Sequence, residues 1–176
     1  MPRWEKRQPY TQEEVGRLLA AATPDDEILV LLGAHAGLHA SEMAALRWAD
    51  VDLATRHLVV ASGKGGKRRT VGLSRSLYLE LVAARRRAGY VLPLNGEDDL
   101  TKRRMHAWYR LRQLCRKTGV QPRALHALRH TAGTRLMSEN HDLELAAGVL
   151  GHSSIETTRI YSHFSDTRAD KAVADW

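Results

Sequence analysis

The chain has 176 residues, the length of one domain, and 43% of them are hydrophobic, enough for a core at that size. Lysine and arginine total 27 against 20 acids, a net charge of +7 that favours a polyanionic partner, nucleic acid first among them. A single cysteine, Cys115, excludes an internal disulfide, and no apolar run reaches the roughly 18 residues of a membrane span. The opening Met1-Pro2-Arg3-Trp4 leads into charged residues without the apolar core of a signal peptide. The expectation is a cytoplasmic protein, associated with the nucleoid and not with membrane.

Thr11-Gln12-Glu13-Glu14 has capping-box spacing and opens an amphipathic helix through Val15, Leu18, Leu19 and Ala22. Pro24-Asp25-Asp26 starts a second helix through Ile28, Leu29, Leu31 and Leu32, ending near Gly37. Ser41 is placed as the cap of a short third helix running to about Trp48. His57-Leu58-Val59-Val60 and the run from Arg68 to Leu73 then read as strands on either side of a glycine-rich loop, Ser62 to Lys67, which predicts a hairpin. Helical period returns through Leu77, Leu81, Val82 and Ala84, closing at Gly89.

A long basic helix is predicted from Leu100 to Lys117, with Trp108, Leu111, Leu114 and Cys115 on its apolar side. Another spans about Ala124 to Met137, followed by short helices at 142–150 and 153–159 and a last one ending at Trp176. The fold class is therefore mainly α with a small antiparallel β-sheet or hairpin, in one domain, 1–176.

Three patterns could carry chemistry, and each has an ordinary structural reading. His126-Ala127-Leu128-Arg129-His130 reads as a surface helix turn, or as a metal pair, since His126 and His130 are four apart. The zincin glutamate is missing, because Ala127 follows the first histidine, and no acid or cysteine nearby offers a third ligand. Leu150-Gly151-His152 through Tyr161-Ser162-His163 reads as helix, turn and helix. Gly63-Lys64-Gly65-Gly66-Lys67 lacks the spacing of a nucleotide-binding P-loop and reads as a basic hairpin tip.

In this order, the three patterns resemble the tyrosine recombinase and phage integrase family, including its Xer-type members. That family carries GLRxSEL, GKGxKxRxVPL, HxLRHT and LGHSSxxTTxxYxH motifs. Here the matching residues are Gly37-Leu38-His39-Ala40-Ser41-Glu42-Met43, Gly63 to Leu73, His126 to Thr131, and Leu150 to His163. The resemblance runs from about Thr11 to His163.

It implies the fold of a tyrosine recombinase catalytic domain and a reaction that cuts and rejoins DNA at specific sites. Tyr161 would attack the scissile phosphate and form a 3′-phosphotyrosyl link. Arg129 would hold a non-bridging oxygen, His126 and His152 would hydrogen-bond the phosphate and assist proton transfer, and Lys64 would protonate the departing 5′-hydroxyl. Glu42 would support the site from behind. Stored in the covalent link, the bond energy makes metal, nucleotide and any other cofactor unnecessary. The family works on double-stranded DNA as tetramers on paired sites, and a monomer is expected without DNA.

One position departs from the pattern: His39 stands where the family has arginine. Arginine is permanently charged and forks onto a phosphate, whereas histidine is shorter and mostly neutral at pH 7 unless an anion raises its pKa. His39 is then either a packed or capping histidine, or a weaker phosphate ligand in the same slot. Both readings predict impaired cleavage, and the alternative function is a catalytically inactive DNA-binding relative or a trapped mutant. The N-terminal domain with which family members clamp the core site does not fit before Thr11, so the chain is read as a fragment or a minimal relative. Lys67, Arg68, Arg69, Lys102, Arg103 and Arg104 are the cations expected on a DNA-facing surface, and Arg85-Arg86-Arg87 is expected to be solvated.

Overall fold

Threonines open the first two helices of the computed structural model, which describes residues 8–60, 68–140 and 150. Thr11 caps α1 (Gln12–Ala21): its hydroxyl accepts the Glu14 N–H at 3.1 Å, and the Glu14 carboxylate accepts the Thr11 N–H at 2.9 Å. This is the capping box the spacing predicted. Thr23 caps α2 (Pro24–Ala34), where proline needs no N–H partner and Asp25, Asp26 and Glu27 face the positive end of the helix dipole. From Ile28 to Ala34 every residue of α2 is buried, so it is the central helix, with α1, α4, α5 and α6 packed around it. Gly33 brings α6 close: a β-carbon there would lie 2.5 Å from Cβ of Leu128.

After α3 (Ala40–Ala45), a short 3-10 turn at Trp48–Asp50 leads into a three-stranded antiparallel sheet in the order β1 (Val51–Asp52), β2 (His57–Val60), β3 (Arg69–Gly72). The predicted hairpin is β2 and β3, in a register that pairs Leu58 with Val71 and Val60 with Arg69. Two-residue β1 is too short to leave an alternation in the sequence, and the hydrophobic pattern did not predict it. Leu58, Val60 and Val71 are buried, and period two places Arg69 on the same inward side as Val71.

Helix α4 (Arg75–Ala83) stops well short of Gly89, and Val82, expected inside, is exposed. Arg85, Arg86 and Arg87 are exposed, as expected. Helix α5 (Leu100–Thr118) is capped by Asp99 and ends at Gly119, whose φ of 67° suits glycine. Its buried stripe runs through Arg103, Ala107, Leu111, Leu114 and Cys115, which leaves Trp108 on the flank, 41% exposed and against Arg112. Helix α6 (His126–Asn140) starts two residues later and ends three later than predicted. The helices expected at 142–159 and in the tail lie outside the described residues, apart from Leu150, which is helical and buried. No described helix is long and apolar enough to cross a membrane.

Arg103 corrects one expectation. Counted among the DNA-facing cations, it is only 3% exposed and points inward. Its Nε donates to the Ala44 carbonyl at 2.8 Å, Nη1 to Leu94 at 2.9 Å and Nη2 to Leu92 at 3.0 Å, with the guanidinium 3.5 Å above the centre of the Tyr90 ring. It ties the end of α3 and the 92–94 connection to α5, and its buried positive charge is satisfied by backbone carbonyls. Arg103→Met should therefore lower stability by about 3 kcal/mol in urea unfolding.

Candidate active site

The site grows from the way α2 ends. Gly37 adopts φ 64°, and the chain folds back so that the Gly37 N–H reaches the Gly33 carbonyl and the Leu38 N–H the Leu32 carbonyl. A β-carbon on Gly37 would sit 2.5 Å from Cδ2 of Leu150, so glycine is needed here for its backbone and for space. Leu150 packs with Ala132, Leu136 and Met137 of α6, which seats residue 150 beside this turn.

His39 is the next residue but one and caps α3. The Glu42 carboxylate reaches back to its backbone N–H at 2.7 Å, so the start of α3 is held from inside its own first turn. The half-buried His39 ring lies 5.0 Å, centre to centre, from the ring of His126, the first residue of α6. Three residues on, Arg129 is 2% exposed; its Nη1 donates to the Gly37 carbonyl and its Nη2 to the Leu150 carbonyl at 2.7 Å. His39, far in the chain from His126 and Arg129, therefore meets them at the Gly37 turn.

Behind them stands an ion pair. Arg69 forks onto Glu42, Nη1 to Oε1 at 2.7 Å and Nη2 to Oε2 at 2.8 Å, and both side chains are largely buried. Burial pushes the Glu42 carboxyl up, but the hydrogen bonds from Arg69 and the His39 N–H, with the charge of Arg69, outweigh it and hold the carboxyl below its usual range. His39 is driven down to about 4: burial does most, the Arg129 charge adds to it, and His126 and Arg69 push the same way against an opposing Glu42. Without an anion, the imidazole at this position is thus neutral at physiological pH. A phosphate pulls in the opposite direction, since an anion at the same place favours the imidazolium.

Of the residues read from the sequence, the fold brings together His39, Glu42, His126 and Arg129. Lys64, Lys67, His152 and Tyr161 lie outside the described residues. Among the expected DNA-facing cations, Arg68, Lys102 and Arg104 are exposed, with Lys102 3.7 Å from Asp99. Arg69, like Arg103, is corrected: its guanidinium faces Glu42, and its part in the site was missed. The signal was available, because Arg69 and Val71 are two apart on one strand and therefore share a face. Among the described residues, no three His, Cys, Asp or Glu side chains are grouped to hold a metal ion.

Helices packed around a central helix, with a three-stranded antiparallel sheet, make up the fold that this chain shares with tyrosine recombinase catalytic domains. Residues 9–168 match the model of the phage integrase family, and the chain belongs to that family. It is 37% identical to the tyrosine recombinase XerA of Thermococcus kodakarensis, over 92% of this chain and 60% of that protein. It is 35% identical to XerC of Xanthomonas campestris, over 78% of this chain and 44% of that protein. The crystal structure of XerA recombinase superposes with a TM-score of 0.78 at 27% identity, over 95% of this chain and 64% of that one. The catalytic domain of bacteriophage HP1 integrase shares the fold at 23% identity, with a TM-score of 0.72 and 94% of its length covered. The chain spans about three-fifths of the XerA sequence it matches.

The depressed His39 pKa gives stability a pH dependence. Between about 4 and the unperturbed value near 6.5, the unfolded chain holds a proton on residue 39 that the folded chain does not. Acid therefore favours unfolding, and stability present at pH 7 is lost as pH falls through that window. His39→Gln removes this contribution, so its urea midpoint should fall less between pH 7 and pH 5 than that of the parent chain.

Proposed function

We propose that this chain is the catalytic domain of a site-specific recombinase that cuts and rejoins double-stranded DNA through Tyr161, without metal or nucleotide. The observation that supports the reading is the meeting of His39, His126 and Arg129 at the Gly37 turn, since the motif resemblance gives these three positions phosphate-binding roles in the family. Tyr161 oxygen attacks the scissile phosphorus as the bond to the 5′-oxygen breaks, the tyrosine proton passing to a neighbouring base and Lys64 supplying one to the leaving oxygen. Arg129, His126 and His152 oppose the negative charge that builds on the non-bridging oxygens, where fixed donors lower the barrier most. Rejoining reverses the step, with a 5′-hydroxyl attacking the phosphotyrosyl link. Lys67, Arg68, Lys102 and Arg104 bind the phosphate backbone, which positions the domain but reads no bases. The domain is a monomer alone and assembles as a tetramer on paired sites.

His39 makes this reaction slow. A neutral imidazole replaces a permanent guanidinium, and loss of one preorganised donor costs on the order of 10²–10³ in rate. One observation favours a second reading, a DNA-binding relative that does not cleave: Arg129 is buried, with both terminal nitrogens on backbone carbonyls.

A nicked suicide substrate separates the two. Under the first reading a covalent protein–DNA adduct forms and disappears in Tyr161→Phe. His39→Arg should accelerate its formation by about 10²-fold at pH 7.5, and the parent chain should favour a lower pH than that variant. No adduct from either protein would leave the binding-only reading standing, and equal rates with parallel pH profiles would mean that residue 39 does not face the phosphate.

A further inference from the structure

We propose that Arg69 is a positioning residue: it sets the place of residue 39 through Glu42 and makes no contact with DNA. Its relevance to cleavage rests on the function proposed above, whereas the linkage itself does not. Arg69 begins β3 and faces the same side of the sheet as Val71. Its two terminal nitrogens grip the two oxygens of Glu42, and Glu42 in turn accepts the backbone N–H of His39. Three short hydrogen bonds thus connect the base of the β2–β3 hairpin to the residue that caps α3. One end of that connection carries residue 39, and the other is the first residue of β3.

Two observations separate this role from DNA contact and from plain stability. A phosphate could reach the guanidinium only by displacing a bidentate, largely buried carboxylate, the partner arginine geometry suits best. Moreover, the Arg69 Nε is buried with no hydrogen-bond partner among the described residues, a desolvated donor that an apolar side chain at position 69 would not leave. Buried ion pairs contribute little net stability, and what this one supplies is geometry.

The test uses Arg69→Met and, as a variant that keeps the bulk of the pair, Glu42→Gln. Amide exchange at residue 39 should accelerate about tenfold or more in both, with the amides of α2 unchanged as evidence of an intact fold. The slope of DNA affinity against salt should be the same as in the parent chain. Single-turnover cleavage, measured in the parent and His39→Arg backgrounds, should fall about 10- to 10²-fold, the effect of a small misplacement. A slope reduced by about one in Arg69→Met would mean a phosphate contact and overturn the proposal. Unchanged exchange at residue 39 would overturn it too, as would an unchanged cleavage rate in a variant whose residue 39 amide has loosened. If no background forms an adduct, the recombinase reading fails, and exchange and salt slope still decide whether Arg69 positions residue 39.

Discussion

Arg129 is the interaction on which the remaining site geometry depends. An almost fully buried guanidinium must find acceptors, because a desolvated cation without them costs several kcal/mol. Here the acceptors are the Gly37 carbonyl, at the end of α2, and the Leu150 carbonyl, at the far end of the region that follows α6. One side chain therefore joins three parts of the chain that sequence separates by up to 113 positions, and its two bonds put residue 150 against the turn that leads to His39. The Leu150 side chain completes the joint by occupying the space that glycine leaves at position 37.

That arrangement also fixes the electrostatics. Crowding Arg129, His126 and Arg69 around position 39 makes a region where an anion is favoured and an additional proton is not. A histidine there yields to its neighbours by staying neutral, as a weak base can. An arginine cannot yield in this way, since its pKa is too high, and it would keep its charge at the expense of its neighbours. Under the proposed function, histidine at 39 exchanges a standing attraction for phosphate for one that appears only once the phosphate has drawn a proton onto the ring. Glu42 moderates this crowding, and Arg69 anchors Glu42, so two more charges are absorbed inside the fold.

Arginines in this protein divide by the direction of their side chains more than by their place in basic runs. In Lys102-Arg103-Arg104, the outer two are solvent-facing and the middle one binds three carbonyls in the interior. In Arg68-Arg69 the first is exposed and the second is paired with Glu42. The net charge available to a polyanion is accordingly smaller at these runs than their composition suggests.

Local chemistry made much of this legible from residues alone. The capping box at Thr11, the proline-led α2, the hairpin around the glycine-rich loop and the long basic α5 each rest on contacts between near neighbours, which sequence records directly. The motif residues named His39, Glu42, His126 and Arg129 because their order and spacing are particular to one family. Which side a given residue faces was decided by packing between distant elements. Trp108 lies outside the α5 stripe, Val82 lies outside α4, and Arg103 and Arg69 turn inward because carbonyls of the 92–94 connection and a carboxylate of α3 wait there. A single side chain's partner across the fold leaves no periodic trace in the chain, and for that reason only the tertiary structure assigned these cations to the interior and left position 39 with a neutral ring.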